Sequence, residues 1–317
     1  LGMVETGGSG LFTTENLSLF AAAAVLLALF VWVERRAKDP LIPFELFQNK
    51  TVSIAVTAGF LGGIAMFGAI SYIPLFAQGA LGFTATAAGS LLTPLMLTWV
   101  TMSVIGGRLM LRLGYRGITI FGFGVLTFGF VMLALFQRST PVFWLYIDLM
   151  LIGAGLGLTM LTLLIAVQQA VERKKLGIAT SLNQFSRSIG GAIGVAVLGA
   201  VLTAGLASHL RSAAETSGGS LTTEQVTEFA SNPNALIEPS AKSRLNADTL
   251  AILQTAMASA IHPVFWVGAL MAALGFVTVL FLPKPLHDID RDIDGERMIM
   301  AEQTNINSRN QPVADQS

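Results

Sequence analysis

Seven long apolar stretches run through this chain, near residues 17–33, 52–78, 84–107, 117–136, 142–168, 188–205 and 263–282, and none contains a lysine or arginine. An apolar helix needs about 20 residues to cross the hydrocarbon core of a bilayer, and most of the stretches reach that length. Backbone N–H and C=O groups have no water to bond in hydrocarbon, so stretches of this polarity have to be helical there. The fold class that follows is an all-α membrane protein with seven transmembrane helices.

The charges between the spans orient the chain. Alternating flanks place Arg35, Arg36, Lys38, Lys50, Arg108, Arg112, Arg116, Arg173, Lys174, Lys175, Arg187, Lys284, Arg291, Arg297 and Arg309 on one side. Arg138, Arg211, Lys242 and Arg244 fall on the other. The excess marks the first side as cytoplasmic. Residues 1–16 and the long loop 206–262 then face outward, and the tail 283–317 lies inside, as expected of a multi-pass protein of the plasma or inner membrane. The formal net charge of zero suggests no nucleic-acid partner. The absence of cysteine leaves the outer loop without a disulfide framework. The first residues read as a loop rather than a signal peptide. An odd span count with an outward N-terminus is the pattern of a fragment whose N-terminal part is missing.

The organisation is one helix plus a six-helix bundle. The span 17–33 stands apart, followed by a charged, proline-bearing linker at 34–51, and the six-helix bundle occupies 52–282. Gly218-Gly219 and Asn232-Pro233 read as turns in the outer loop. Leu250, Leu253, Met257 and Ile261 have helical spacing, so their segment either lies at the outer interface or extends the last span.

Polarity sorts the six spans. Residues 117–136 and 263–282 carry only Thr119, Thr127 and Thr278 as polar residues, and are expected to face lipid. The other four are richer: Ser53, Thr57, Ser71, Tyr72 and Gln78; Thr86, Ser90, Thr93, Thr98, Trp99, Thr101 and Ser103; Asp148, Thr159, Thr162 and Gln168; and Asn183, Gln184 and Ser186 at the start of the fifth. Polar groups at membrane depth belong against protein or a water-filled cavity. The expectation is four cavity-lining helices and two outer ones, the outer one last in each triplet, as in an inverted repeat of three plus three helices.

The loop between the second and third bundle helices runs Gly107-Arg108-Leu109-Met110-Leu111-Arg112-Leu113-Gly114-Tyr115-Arg116. Its glycines allow a tight turn, and its arginines can bind helix C-termini or facing carboxylates. Ordinary positive-inside charge is the other reading of the same residues. The loop resembles the Gly-x-Leu-x-Asp-Arg-x-Gly-x-Arg motif of the major facilitator superfamily at Gly107, Leu109, Arg112, Gly114 and Arg116. Leu111 stands where that family has an Asp belonging to a latch on the cytoplasmic side, which makes this loop similar to the degenerate copy of a C-terminal half.

Further runs narrow the resemblance. They are Asp39-Pro40-Leu41-Ile42-Pro43 to Phe47, Tyr72-Ile73-Pro74-Leu75 with Gln78, and Val167-Gln168-Gln169-Ala170 through Gly177-Ile178-Ala179-Thr180-Ser181 to Arg187-Ser188-Ile189-Gly190-Gly191. In this order and spacing they are similar to the fourteen-span drug:H⁺ antiporters of the EmrB/QacA type. The resemblance implies that 17–33 is the second of two linker helices and the rest a C-terminal half. It also implies that the main proton-coupling carboxylates lie in the other half, so that this chain alone does not transport.

Asp148 is the one acidic residue well inside an expected span, roughly 9 Å from its outer end at 1.5 Å per residue. It reads as a proton-titrating or cation-attracting group at the cavity, or as a carboxylate snorkelling to outer water or bonding a neighbouring helix. Met66, Phe67, Tyr72, Gln78, Met96, Trp99 and Met102 are the substrate-cavity candidates, because Met and aromatic surfaces suit varied flat or cationic ligands. Core or lipid packing is the competing reading for each. Gly153, Gly155 and Gly157 lie in mid-span, which fits close helix packing rather than a phosphate loop. Pro74 and Pro94 kink their helices, as gating hinges or as irregular packing.

The function that follows is the C-terminal half of a secondary efflux transporter, exchanging small amphipathic, drug-like compounds for protons by alternating access. Its expected partners are the substrate, protons, the lipid bilayer and the missing N-terminal half. No cofactor, metal ligand set or catalytic residue is expected. His209, His262 and His287 are scattered, and no Lys in 263–282 could hold a retinal. A non-transporting membrane scaffold component, then an intramembrane enzyme, are the alternative readings.

Overall fold

The computed structural model describes residues 29, 44–137, 140–216, 227, 229 and 246–283. The expected linker helix 17–33 lies outside the described residues apart from Leu29, as do most of the linker 34–51, the middle of the outer loop and the tail after 283. The elements are a 3₁₀ turn at Phe44–Gln48, α1 (Lys50–Gly79), a short α2 (Ala85–Ser90), α3 (Leu92–Ala134), α4 (Val142–Gln169), a 3₁₀ turn at Arg173–Lys175, α5 (Leu176–Thr216) and α6 (Ala247–Leu280). Five helices are long and apolar enough to cross a membrane. No strand occurs among the described residues.

Six bundle spans are expected and five helices are found because one helix folds back on itself. A helix of 43 residues such as α3 would be about 64 Å long if straight, twice the hydrocarbon thickness. Its contacts with α4 show two opposed directions. In the first arm, 92–113, the Leu95 backbone meets Gly153, the Trp99 backbone meets Gly157 and Gly107 lies beside Leu161, a parallel progression. In the second arm, 115–134, Gly122 meets Thr159, Leu126 meets Gly155 and Gly129 meets Ile152, which is antiparallel. The reversal falls at Gly114, with φ 70° and ψ 166°. A residue with a Cβ adopts that conformation only under strain.

The remaining contacts repeat this scheme. Helix α1 runs parallel to α5, with Gly63 on the Arg187 backbone, Gly190 on the Phe60 backbone and Gly68 beside Leu198. Helix α6 runs antiparallel to α1 through Gly79 and Met257, and antiparallel to the second arm of α3 through Phe123 with Gly275 and Phe130 with Gly268. Exchanging α1 with α4, the first arm of α3 with α5, and the second arm with α6 maps the set of contacts onto itself. Two inverted triplets therefore build the bundle. In lipid there is no hydrophobic drive between helices, so glycines that let backbones approach supply much of the association. Phe76 adds aromatic packing, standing edge-on to Phe136 at 6.1 Å and to Phe265 at 5.7 Å.

Polar bonds close the two ends. The Asn49 carboxamide accepts from Thr51 N at 2.9 Å, capping α1, while its Nδ2 donates to the Ala170 carbonyl at 2.8 Å, where α4 ends. Lys175 pairs with Glu45 at 3.2 Å. Arg116 donates to the Leu280 carbonyl at 3.0 Å. These bonds join at one end the flanks that carry most of the positive charge. At the opposite end His262 Nε2 bonds the Phe136 carbonyl at 2.8 Å, which the second arm leaves without a helical partner. The segment from Asp248 onward extends the last span as a continuous helix from Ala247.

Candidate functional site

The motif loop becomes the turn around Gly114. Gly107 packs beneath the Leu161 side chain, Leu109 and Arg112 are exposed, and Arg116 caps the C-terminal end of α6. The cap is the helix-end role available to these arginines from their chemistry: a guanidinium satisfies a terminal carbonyl and meets the negative end of the helix dipole. Leu111, at the position of the family Asp, is 78% exposed. It offers no acid to a latch.

Asp148 is 1% exposed. It points neither to an open cavity nor to outer water. It follows the seam where α4 meets the second arm of α3, one turn before Ile152 and beside Gly129. Neither of its carboxyl oxygens has a hydrogen-bond partner among the described residues. Thr159 and Thr162 continue the same stripe, fully buried and bonding back to their own helix. The Thr119 hydroxyl donates across the seam to Thr162 Oγ1 at 3.0 Å. Thr119, on a span expected to face lipid, is thus completely enclosed, while Phe121 and Phe128 on the same arm are exposed. Asp148 and Thr159 fit into this helix–helix contact because the neighbouring arm leaves room for them at Gly129 and Gly122.

The cavity candidates do not gather on one surface. Met66 and Tyr72 are buried. The Tyr72 hydroxyl donates to the Val195 carbonyl of α5 at 2.6 Å, and the Phe67 ring lies over Gly191. Gln78 Nε2 bonds the Pro74 carbonyl at 3.3 Å, one turn back on α1. Met102 and the Trp99 backbone close on Gly157. Met96 alone of the set is exposed, at 38%. Four of the seven therefore fill the α1–α5 or α3–α4 contacts.

The sequence places Arg187 on the flank of a span beginning at Ser188, and the structure corrects this. Helix α5 begins at Leu176, and the Arg187 backbone packs on Gly63, roughly 20 Å along α1 from Lys50 at 1.5 Å per residue. The signal was present in the sequence. Ala179, Leu182, Asn183, Gly190, Gly194 and Leu198, all buried, keep one helical phase across residue 187. Asn183 Nδ2 reaches the Ala55 carbonyl at 3.4 Å and Ser186 Oγ the Val56 carbonyl at 2.9 Å, so the polar run is packed helix rather than loop. No cluster of three metal-ligating side chains occurs among the described residues.

These features define a multi-pass α-helical membrane protein whose bundle is built from two inverted helix triplets. Residues 16–195 match the family model of the Major Facilitator Superfamily, and the chain belongs to that family. It is 35% identical over 288 residues to the multidrug transporter protein MdtP of Bacillus subtilis (strain 168), covering 86% of this chain and 53% of the relative. It is 30% identical over 270 residues to multidrug resistance protein 3 of the same organism, covering 85% of this chain and 52% of the relative. A tetracycline resistance determinant of Streptomyces rimosus is 30% identical over 190 residues, covering 59% of this chain and 55% of the relative. The chain spans about half the length of these relatives.

Proposed function

We propose that this bundle is the C-terminal half of a proton-coupled efflux transporter that exports small amphipathic, drug-like compounds by alternating access. The observation that carries the reading is the pair of inverted triplets packed through matching contacts. Transporters with such repeats work by rocking one bundle against another around a central site. The names of the relatives, a multidrug transporter and two resistance proteins, support the substrate class and a transport rather than an enzymatic role. On this reading the remaining half supplies the facing bundle. The protein lies in the plasma or inner membrane, with the Lys50, Arg116 and Arg173 ends in the cytoplasm, as the charge bias indicates.

Asp148 is proposed as a proton-exchanging group of this half, beside the carboxylates expected in the other. A buried carboxyl without a partner at this depth is costly, and such groups are retained where they serve a pathway or relay. The test is dye efflux from vesicles holding the full-length protein, with and without a proton uncoupler. Asp148→Asn, which keeps the shape, is expected to insert normally and to lose proton-driven efflux. Uncoupler-insensitive efflux by the wild type removes the proton from the proposal; wild-type rates in Asp148→Asn remove this residue.

A further inference from the structure

We propose that Arg187 anchors a carboxylate-binding subsite on the open face of α5, so that the compounds taken by this bundle include amphipathic acids. The inference rests on the transporter reading for its substrate and on the described residues of this half for its site.

Three observations lead to it. First, Arg187 lies within an apolar helix and its backbone is held against Gly63 of α1. A cation at this depth is expensive and is retained where it faces protein or water, with a counter-charge to meet. Second, no such counter-charge is found among the described residues. Among the described residues the guanidinium bonds Gln184 Oε1, one turn back on its own helix, and no carboxylate lies within salt-bridge distance. A neutral carboxamide satisfies one of five donors and none of the charge. Third, the surface beside it has two characters. Ser181, Gln184 and Ser188 recur at helical spacing and are exposed, and Phe185, Ile189 and Ile193 next to them are exposed as well. The opposite face of α5, with Asn183, Ser186 and Gly190, is committed to α1.

A guanidinium with hydroxyl and amide donors alongside matches a planar carboxylate, which it binds through paired N–H···O bonds. The apolar side chains beside it accept a hydrocarbon or aromatic body. Lysine keeps the charge but loses the two-pronged geometry.

The site can be tested without transport. These 317 residues contain no cysteine, so Ser188→Cys introduces a thiol next to the guanidinium. In the full-length protein with other cysteines removed, an anionic sulfonatoethyl methanethiosulfonate is expected to outpace its cationic trimethylammonium counterpart. Adding Arg187→Gln is expected to reduce that preference roughly tenfold, while the preference at an exposed Thr101→Cys control stays constant. An unchanged preference at Ser188→Cys, or no reaction with either reagent, overturns the site. The transport arm compares carboxylate-bearing dyes with cationic ones. Arg187→Gln is expected to lose export of the acids and keep that of the cations, with partial rescue by Arg187→Lys. Equal loss of both, no loss, or a wild type that exports cations but no acid in the panel overturns the substrate assignment. A wild type exporting nothing sinks the transporter reading and leaves the thiol chemistry to decide the site.

Discussion

The Arg116 guanidinium donates to the Leu280 carbonyl at 3.0 Å, tying the turn between the two arms of α3 to the last turn of α6. A hydrogen bond from a charged donor contributes about 1.5–3 kcal/mol, and less where water competes, as at this exposed end. Arg116→Gln is expected to cost about 1 kcal/mol, read as a lower thermal midpoint in detergent. Arg112→Gln, at an exposed neighbour in the same loop, is expected to leave the midpoint unchanged. Equal effects at both positions would show that loop charge, not the cap, is responsible.

The Thr119–Thr162 hydroxyl pair, 3.0 Å apart and fully buried, invites a double-mutant cycle. Hydrogen bonds between transmembrane helices average about 0.6 kcal/mol by this method and reach about 1.7. Each hydroxyl has one proton and also a carbonyl of its own helix within reach, so the two acceptors compete and the pair should fall near the average. Unfolding of Thr119→Val, Thr162→Val and the double variant in mixed micelles measures it. A coupling indistinguishable from zero would mean that the hydroxyls act only within their own helices.

Glycines in the helix contacts are expected to differ sharply from those outside them. A Cβ on Gly153 would run into the Leu95 backbone, whereas one on Gly117 meets nothing within 4 Å. Backbone cannot rotate away as a side chain can, so Gly153→Val is expected to cost about 3 kcal/mol or prevent assembly. Gly117→Ala should be neutral or stabilising by up to about 1 kcal/mol, because alanine favours a helix. Size-exclusion profiles and thermal midpoints separate the two. Similar behaviour at both sites would remove close approach as the reason for Gly153.

Gly114→Ala adds a Cβ at φ 70° and ψ 166°, at an expected cost of about 1–3 kcal/mol. Thermal midpoints measure it, and a variant as stable as the parent would mean that the turn has other conformations open to it.

Much of the fold was legible because the bilayer imposes a length and a polarity that a sequence cannot conceal. The six bundle spans, the inverted triplets and the helix-capping role open to Arg116 could be read from apolar runs, glycines and charge alone. The partners of polar side chains could not. Asp148 and Thr159 look the same in sequence whether they face water or a neighbouring helix, and what separates the cases is a gap at Gly129 and Gly122 on another segment. Tyr72 and Met66 carry the chemistry of a binding pocket and are spent on the core. The place of Arg187 is hidden for a simpler reason: the polar residues from Asn183 to Ser188 look like the end of a span, although the buried helical phase continues through Asn183 to Ala179.

The reversal at Gly114 sets the parity of the chain. Every crossing after it, α4, α5 and α6, is delivered to its side of the bilayer by one left-handed residue between two arms that are otherwise continuous helix. Were that residue to straighten, α3 would be a single rod too long for the membrane, and each later helix would be threaded in the opposite sense. The pairing of like triplets head to tail would then be lost, although no residue of those triplets had changed.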